Sequence, residues 1–240
     1  MSGHSHAKKI MHEKGAADAK RSQVFSKLAN ELTIAAKEGG GGDPMANPRL
    51  RTVMEKAKEV NMPSENVERA IKKASGGEGG ELQEMLIEAY GPGGIALLIS
   101  AITDNKNRTL GEIKQILQRN QGKMVEGGAV RWLFELKGVG IVEPDENHPL
   151  PPKEELELLA IEAGAEDLYW HDNILDMYTD PANLASLKEK LEGKGLRITT
   201  SLDWVPKEHV QAAPKEQEAT EQLFEALHEQ DDAQDIYSNL

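Results

Sequence analysis

GVGIVE (138–143), EELELLAIEAG (154–164), EDLYW (166–170), ILDMYTD (174–180), NLASLKEKLEGKG (183–195) and LRITTSLDW (196–204) follow one another along the chain. Short β-type runs read as strands, and longer runs with apolar residues three and four apart read as helices. The order is therefore β-α-β-β-α-β, which is the ferredoxin-like arrangement. Upstream, ELQEMLIEAY (81–90) alternates Met85, Ile87 and Ala89 with Glu84, Leu86 and Glu88, as a strand does. GPGG (91–94) has turn chemistry, because proline fixes φ and glycine takes positive φ. IALLISAI (95–102) reads as a more buried strand, NRTLGEIKQILQRNQG (107–122) as a helix and AVRWLFELKG (129–138) as another strand. Downstream, KEQEATEQLFEALHEQ (215–230) reads as a helix and AQDIYSN (233–239) as a short strand. That tail completes the upstream β-β-α-β unit as a second α/β sandwich, with the ferredoxin-like unit inserted into it.

The first third is helical. From Ala16 to Lys37, Val24, Phe25, Leu28, Leu32 and Ala35 recur at helical spacing. GGGGDP (39–44) ends that helix, since glycine accepts the left-handed cap conformation. A second helix starts at NPRLR (47–51). Asn47 suits the N-cap, and Pro48 suits the first helical position, where no N–H bond is needed. After NMPS, Ser64 caps a third helix with Val67, Ala70, Ile71 and Ala74 inward, and GGEGG (76–80) closes it as a flexible link. The expected class is α+β: a helical N-terminal domain and two α/β sandwich domains, at least one of them ferredoxin-like. The expected divisions are 1–79, then 80–138 with 212–240, and an inserted 139–211.

Charge is spread unevenly over the 240 residues. The net charge is −13, yet residues 1–75 carry 14 Lys and Arg against 9 Asp and Glu, while residues 76–240 carry 14 against 32. A basic end on an acidic body is oriented by that asymmetry toward polyanions. The candidate phosphate contacts are Lys8, Lys9, Lys14, Lys20, Arg21, Lys27, Arg49, Arg51, Arg69, Lys72 and Lys73. Such contacts act through charge and counterion release. The bland alternative is three amphipathic helices with solvated cations. Phe25 is the only aromatic residue before position 76 and is expected in the core. Base stacking is thus not expected of this domain, and backbone or shape recognition is.

Other chemistries lack residues. There is no cysteine, so zinc–thiolate sites, disulfides and thiol nucleophiles are excluded. GGGGDP lacks the Lys-Ser/Thr of a phosphate-binding loop, and neither GxSxG nor HExxH occurs. No carboxylate pair stands out as an acid/base couple. No enzyme activity, cofactor or small-molecule substrate is expected. His4 is a minor metal candidate: after removal of Met1 the start Ser-Gly-His offers an amine, two amides and an imidazole to Cu(II) in a square plane. No apolar run reaches the roughly 20 residues a bilayer needs, and no secretory signal follows the N-terminal lysines. A cytoplasmic protein without membrane contact is expected.

Several short motifs then converge. GHS (3–5), DAKRS-VFSKL (18–28), GGGDP--NPRLR (40–51), NMP---VERAIKK (61–73), YGPGG (90–94), TDN-NRT (103–109), AGAED (163–167) and YTDP (178–181) span the whole chain. Together they resemble the YebC/PmpR family, which includes the mitochondrial translational activator of cytochrome c oxidase. The resemblance implies three domains, one helical and two α/β, and no catalysis or cofactor. It also implies either a DNA-binding transcriptional regulator or a ribosome-associated factor that helps translation through difficult stretches such as proline runs. Lys14, Lys20, Arg21, Lys27, Arg49, Arg51, Arg69 and Lys72 carry over onto matched motif positions. The family commonly has Lys-Trp after GHS, where this chain has His6 and Ala7, and Met11 and Glu13 stand at positions often basic. The net charge and the lack of a helix-turn-helix or dimerisation device favour ribosomal RNA over promoter DNA. A protein-interaction scaffold using the acidic α/β domains is the third reading.

Overall fold

The computed structural model describes residues 18–39, 41–76, 82–144, 150–171 and 173–240. These form two compact units: the described residues up to Trp132 together with Val210–Ser238, and Leu133–His209 together with Asn239–Leu240.

The first unit begins with three helices, α1 (Asp18–Glu38), α2 (Pro48–Glu59) and α3 (Ser64–Gly76). Leu28, Leu32, Ala35, Leu50, Val53 and Ala70 form their common core. Asn47 ties the first two together. It is 1 % exposed. Its Oδ1 accepts from the Leu50 N–H at 3.0 Å, and its Nδ2 donates to the carbonyls of Ala35 at 2.8 Å and Gly41 at 2.9 Å. The N-cap and Pro48 are where cap chemistry puts them. Residue 39 is glycine because a Cβ there would lie 2.3 Å from Asn47 Oδ1.

The same unit contains the antiparallel sheet β3-β1-β2-β8, made of β1 (Gln83–Tyr90), β2 (Ala96–Thr103), β3 (Lys123–Met124) and β8 (Ala233–Ser238). Helices α4 (Lys106–Arg119) and α7 (Pro214–His228) pack against each other, and Leu223 of α7 and Leu97 of β2 both lie close to Gly91. The TDN-NRT motif is the hinge between β2 and α4. Asn105 Oδ1 caps the helix by accepting from the Arg108 N–H at 3.2 Å. Thr109 Oγ1 donates to Asp232 Oδ2 at 2.6 Å, and Arg108 Nη2 pairs with the same oxygen at 3.0 Å. Burial alone would raise the Asp232 pKa, but Thr109 and Arg108 outweigh it and hold the carboxyl below its usual value.

The second unit is the sheet β5-β6-β4-β7 with two helices: β4 (Phe134–Val142), α5 (Lys153–Ala163), β5 (Asp167–His171), β6 (Ile174–Thr179), α6 (Leu184–Glu192) and β7 (Thr199–Pro206). Every pair is antiparallel. The strand order is the ferredoxin-like one that the β-α-β-β-α-β reading requires. Leu156, Ala160, Leu175, Met177, Leu187 and Leu191 fill the space between sheet and helices. The protein is thus an α+β molecule: N-terminal helices, then two four-stranded antiparallel sheets with their helices.

The reading of 129–143 needs correction. AVRWLFELKG and GVGIVE are one strand, Phe134–Val142, paired along most of its length with β7. The third strand of the first sheet is the two-residue Lys123–Met124 instead. Glycine is the reason. Gly138 is a point of close approach inside a strand: a Cβ there would sit 3.0 Å from Leu184 Cβ, and at Gly140 one would sit 2.7 Å from Ile198 Cδ1.

Candidate nucleic-acid interface

The candidate cations fall into four groups. Lys8, Lys9, Lys14 and the candidate metal ligand His4 lie outside the described residues. Lys20 is on α1. Arg21 is exposed there, with its guanidinium carbon 5.4 Å from the Phe25 ring centroid. Phe25 is half-buried and packs against the helical core, as expected.

Lys27 is directed elsewhere. It is half-buried and its Nζ donates to the His228 carbonyl at 2.8 Å. One turn earlier, Gln23 Nε2 donates to the Glu229 carbonyl at 2.7 Å and to Asp231 Oδ1 at 3.2 Å. Burial pushes the Lys27 ammonium down to about 8, against the opposing pull of Asp235, Asp231 and Asp232. This lysine docks α1 on the acidic segment between α7 and β8. Arg49 is also engaged: it pairs with Glu38 at 2.9 Å and with Glu84 of β1.

Arg51, Arg69, Lys72 and Lys73 are exposed and make no ion pair among the described residues. The last three share one stripe of α3, since residues three and four apart are neighbours on a helix. Arg69 and Lys73 are a like-charge i,i+4 pair, an arrangement that costs about 0.2–0.5 kcal/mol in an isolated helix. Glu65 and Glu68 lie one turn earlier but do not reach across to neutralise them. A phosphate group set against this stripe relieves that repulsion and adds charge-assisted hydrogen bonds.

Two features escaped the sequence reading. Glu88 is 6 % exposed and holds a loop by its carboxylate. Trp132, which ends that loop, is 65 % exposed. The available signal was the glycine pair in EGGAVRW (126–132), which marks a loop rather than a strand. Among the described residues there is no cluster of metal-ligating side chains, and no helix is long and apolar enough to cross a membrane.

The described architecture, basic helices followed by two antiparallel sheets with helices, has close counterparts. Family profiles match over residues 5–77, described as the TACO1/YebC protein N-terminal domain, and over residues 82–240, described as the TACO1/YebC second and third domain. The chain belongs to the TACO1/YebC family. It is 50 % identical over 240 residues to a "probable transcriptional regulatory protein" of Pseudothermotoga lettingae, covering 100 % of this chain and 93 % of that one. It is 48 % identical to another protein so described from Petrotoga mobilis, covering 100 % and 94 %. A solved structure, that of a conserved hypothetical protein from Aquifex aeolicus, superposes with a TM-score of 0.87 at 41 % identity, covering 98 % of this chain and 96 % of that one.

Proposed function

We propose that this protein is a non-enzymatic, cytoplasmic regulator of gene expression. In this reading it engages ribosomal RNA through its N-terminal helices, as a ribosome-associated translation factor that relieves stalling at stretches such as proline runs. The observation that carries the reading is the stripe Arg69, Lys72 and Lys73, which with exposed Arg51 makes no ion pair among the described residues, in a molecule whose net charge is −13. Cations left unpaired in an acidic protein fit a polyanionic partner. The acidic remainder weakens indiscriminate coating of duplex DNA, and shape-based reading of RNA needs few aromatic residues. The helical segment is proposed to act as a domain of its own beside the discontinuous and inserted α/β domains.

A second reading rests on the name that relatives carry: a DNA-binding transcriptional regulator using the same stripe. Crosslinking in cells, followed by sequencing of the bound RNA and DNA, separates the two. We expect ribosomal RNA to dominate. Recovery of promoter DNA without ribosomal RNA would overturn the translation reading in favour of the transcriptional one.

A further inference from the structure

Trp132 is 65 % exposed, yet it is fixed. Its indole N–H donates to the Ala129 carbonyl at 3.0 Å. The loop before it hangs from Glu88 on β1. One carboxylate oxygen accepts from the Gly128 N–H at 2.5 Å, and the other accepts from the N–H groups of Val130 at 2.7 Å and Arg131 at 2.9 Å. The Val125 N–H adds a bond to the Glu88 carbonyl at 2.9 Å. Gly128 takes φ 89°, a conformation that strains other residues, and so delivers its N–H to the carboxylate. Burial would raise the Glu88 pKa, but these three donors and the Arg131 charge outweigh it, so the carboxylate stays ionised and the loop stays pinned.

A buried carboxylate is thus used to order a loop whose last side chain is a large, uncovered aromatic ring. The indole N–H is already bonded within the loop, which leaves the ring faces as the part available for recognition. The stretch of chain leading to the ring indicates what it would meet. Residues 105–132 carry six Lys and Arg against two Asp and Glu, within a region, 76–240, that is otherwise strongly acidic. Arg131, the residue before Trp132, is exposed, and Lys123 is exposed on the short strand leading into the loop.

We infer that Trp132 is a stacking platform for an unpaired RNA base, with exposed Lys123 at the start of the loop set to neutralise an adjoining phosphate. The inference rests on the nucleic-acid reading above and adds a second contact, outside the three helices, of a different chemical kind. Stacking on an aromatic face is tolerant of sequence and requires a base that is not already stacked in a duplex.

The test uses the full chain and two fluorescently labelled probes, a short single-stranded RNA and a duplex RNA of the same length. We expect Trp132→Leu and Trp132→Ala to weaken single-strand binding about tenfold. Trp132→Phe should recover most of the loss, and duplex binding should be unchanged by all three. Leucine as good as tryptophan would overturn the inference and indicate an apolar protein partner; equal loss on duplex RNA would also overturn it. An Arg69→Glu, Lys72→Glu, Lys73→Glu variant runs in parallel. If it loses binding while the Trp132 variants do not, the stacking inference fails and the helical surface stands. If only the Trp132 variants lose single-strand binding, the platform stands and the helical surface fails. If the unmodified chain binds neither RNA, both fail.

Discussion

Lys27 shows how one residue's role turns on its surroundings. On a helical wheel it belongs with Lys20 and Arg21 as a phosphate contact. In the fold it faces the His228 carbonyl, with Asp231, Asp232 and Asp235 close enough to act on its charge. Its proton is held less tightly in the folded protein, at about 8, than at the ordinary lysine value of 10.5. Below about 8 both folded and unfolded chains carry the proton, and its contribution does not vary with pH. Between the two values the unfolded chain binds more protons than the folded one, so this residue's contribution to stability rises with pH. We expect the difference in unfolding free energy between the unmodified protein and Lys27→Met to grow from pH 8 toward 10.5. Chemical denaturation across that range measures it, and a flat difference would show that the ammonium is not perturbed in the fold. The burial was not legible in the sequence, because the partner carbonyl lies 201 residues away.

At the scale of elements, local chemistry was legible and long-range packing was not. Asn47 and Pro48 mark the start of α2 correctly, because a cap depends on the few residues that follow it. The same Asn47 also clamps the end of α1 through Ala35 and the glycine loop through Gly41. Asn47→Ala therefore removes a cap and takes one donor from each of the carbonyls of Ala35, which keeps the Gly39 N–H, and of half-buried Gly41, and it should cost about 1–2 kcal/mol. Equilibrium urea unfolding checks this; a loss below about 0.5 kcal/mol would mean that the clamp contributes nothing beyond an ordinary surface residue. Gly138 misled the reading of β4 for the opposite reason. A glycine that ends a strand and one that admits a neighbour look alike in sequence, and only the position of Leu184 tells them apart. The alternation of Met85, Ile87 and Ala89 did identify β1, but nothing in it indicates that Glu88 of the other face binds a loop some 40 residues on.

For the whole molecule, the basic N-terminal end was legible as a charge count, and the structure engages two of its cations within the protein itself. Lys27 and Arg49 are engaged with the end of α7 and with β1, whereas Arg51, Arg69, Lys72 and Lys73 face solvent without carboxylate partners among the described residues. Family membership supports a regulatory protein, and in the function proposed above the α3 stripe is what would hold it to the ribosome. Co-sedimentation with ribosomes over a series of salt concentrations tests it most directly, comparing the unmodified chain with Arg69→Glu, Lys72→Glu, Lys73→Glu. We expect the unmodified chain to bind with a steep salt dependence, and the variant to lose more than about tenfold in affinity with a shallower slope. Equal affinity and equal slope for the two proteins, with the variant still folded, would contradict the claim.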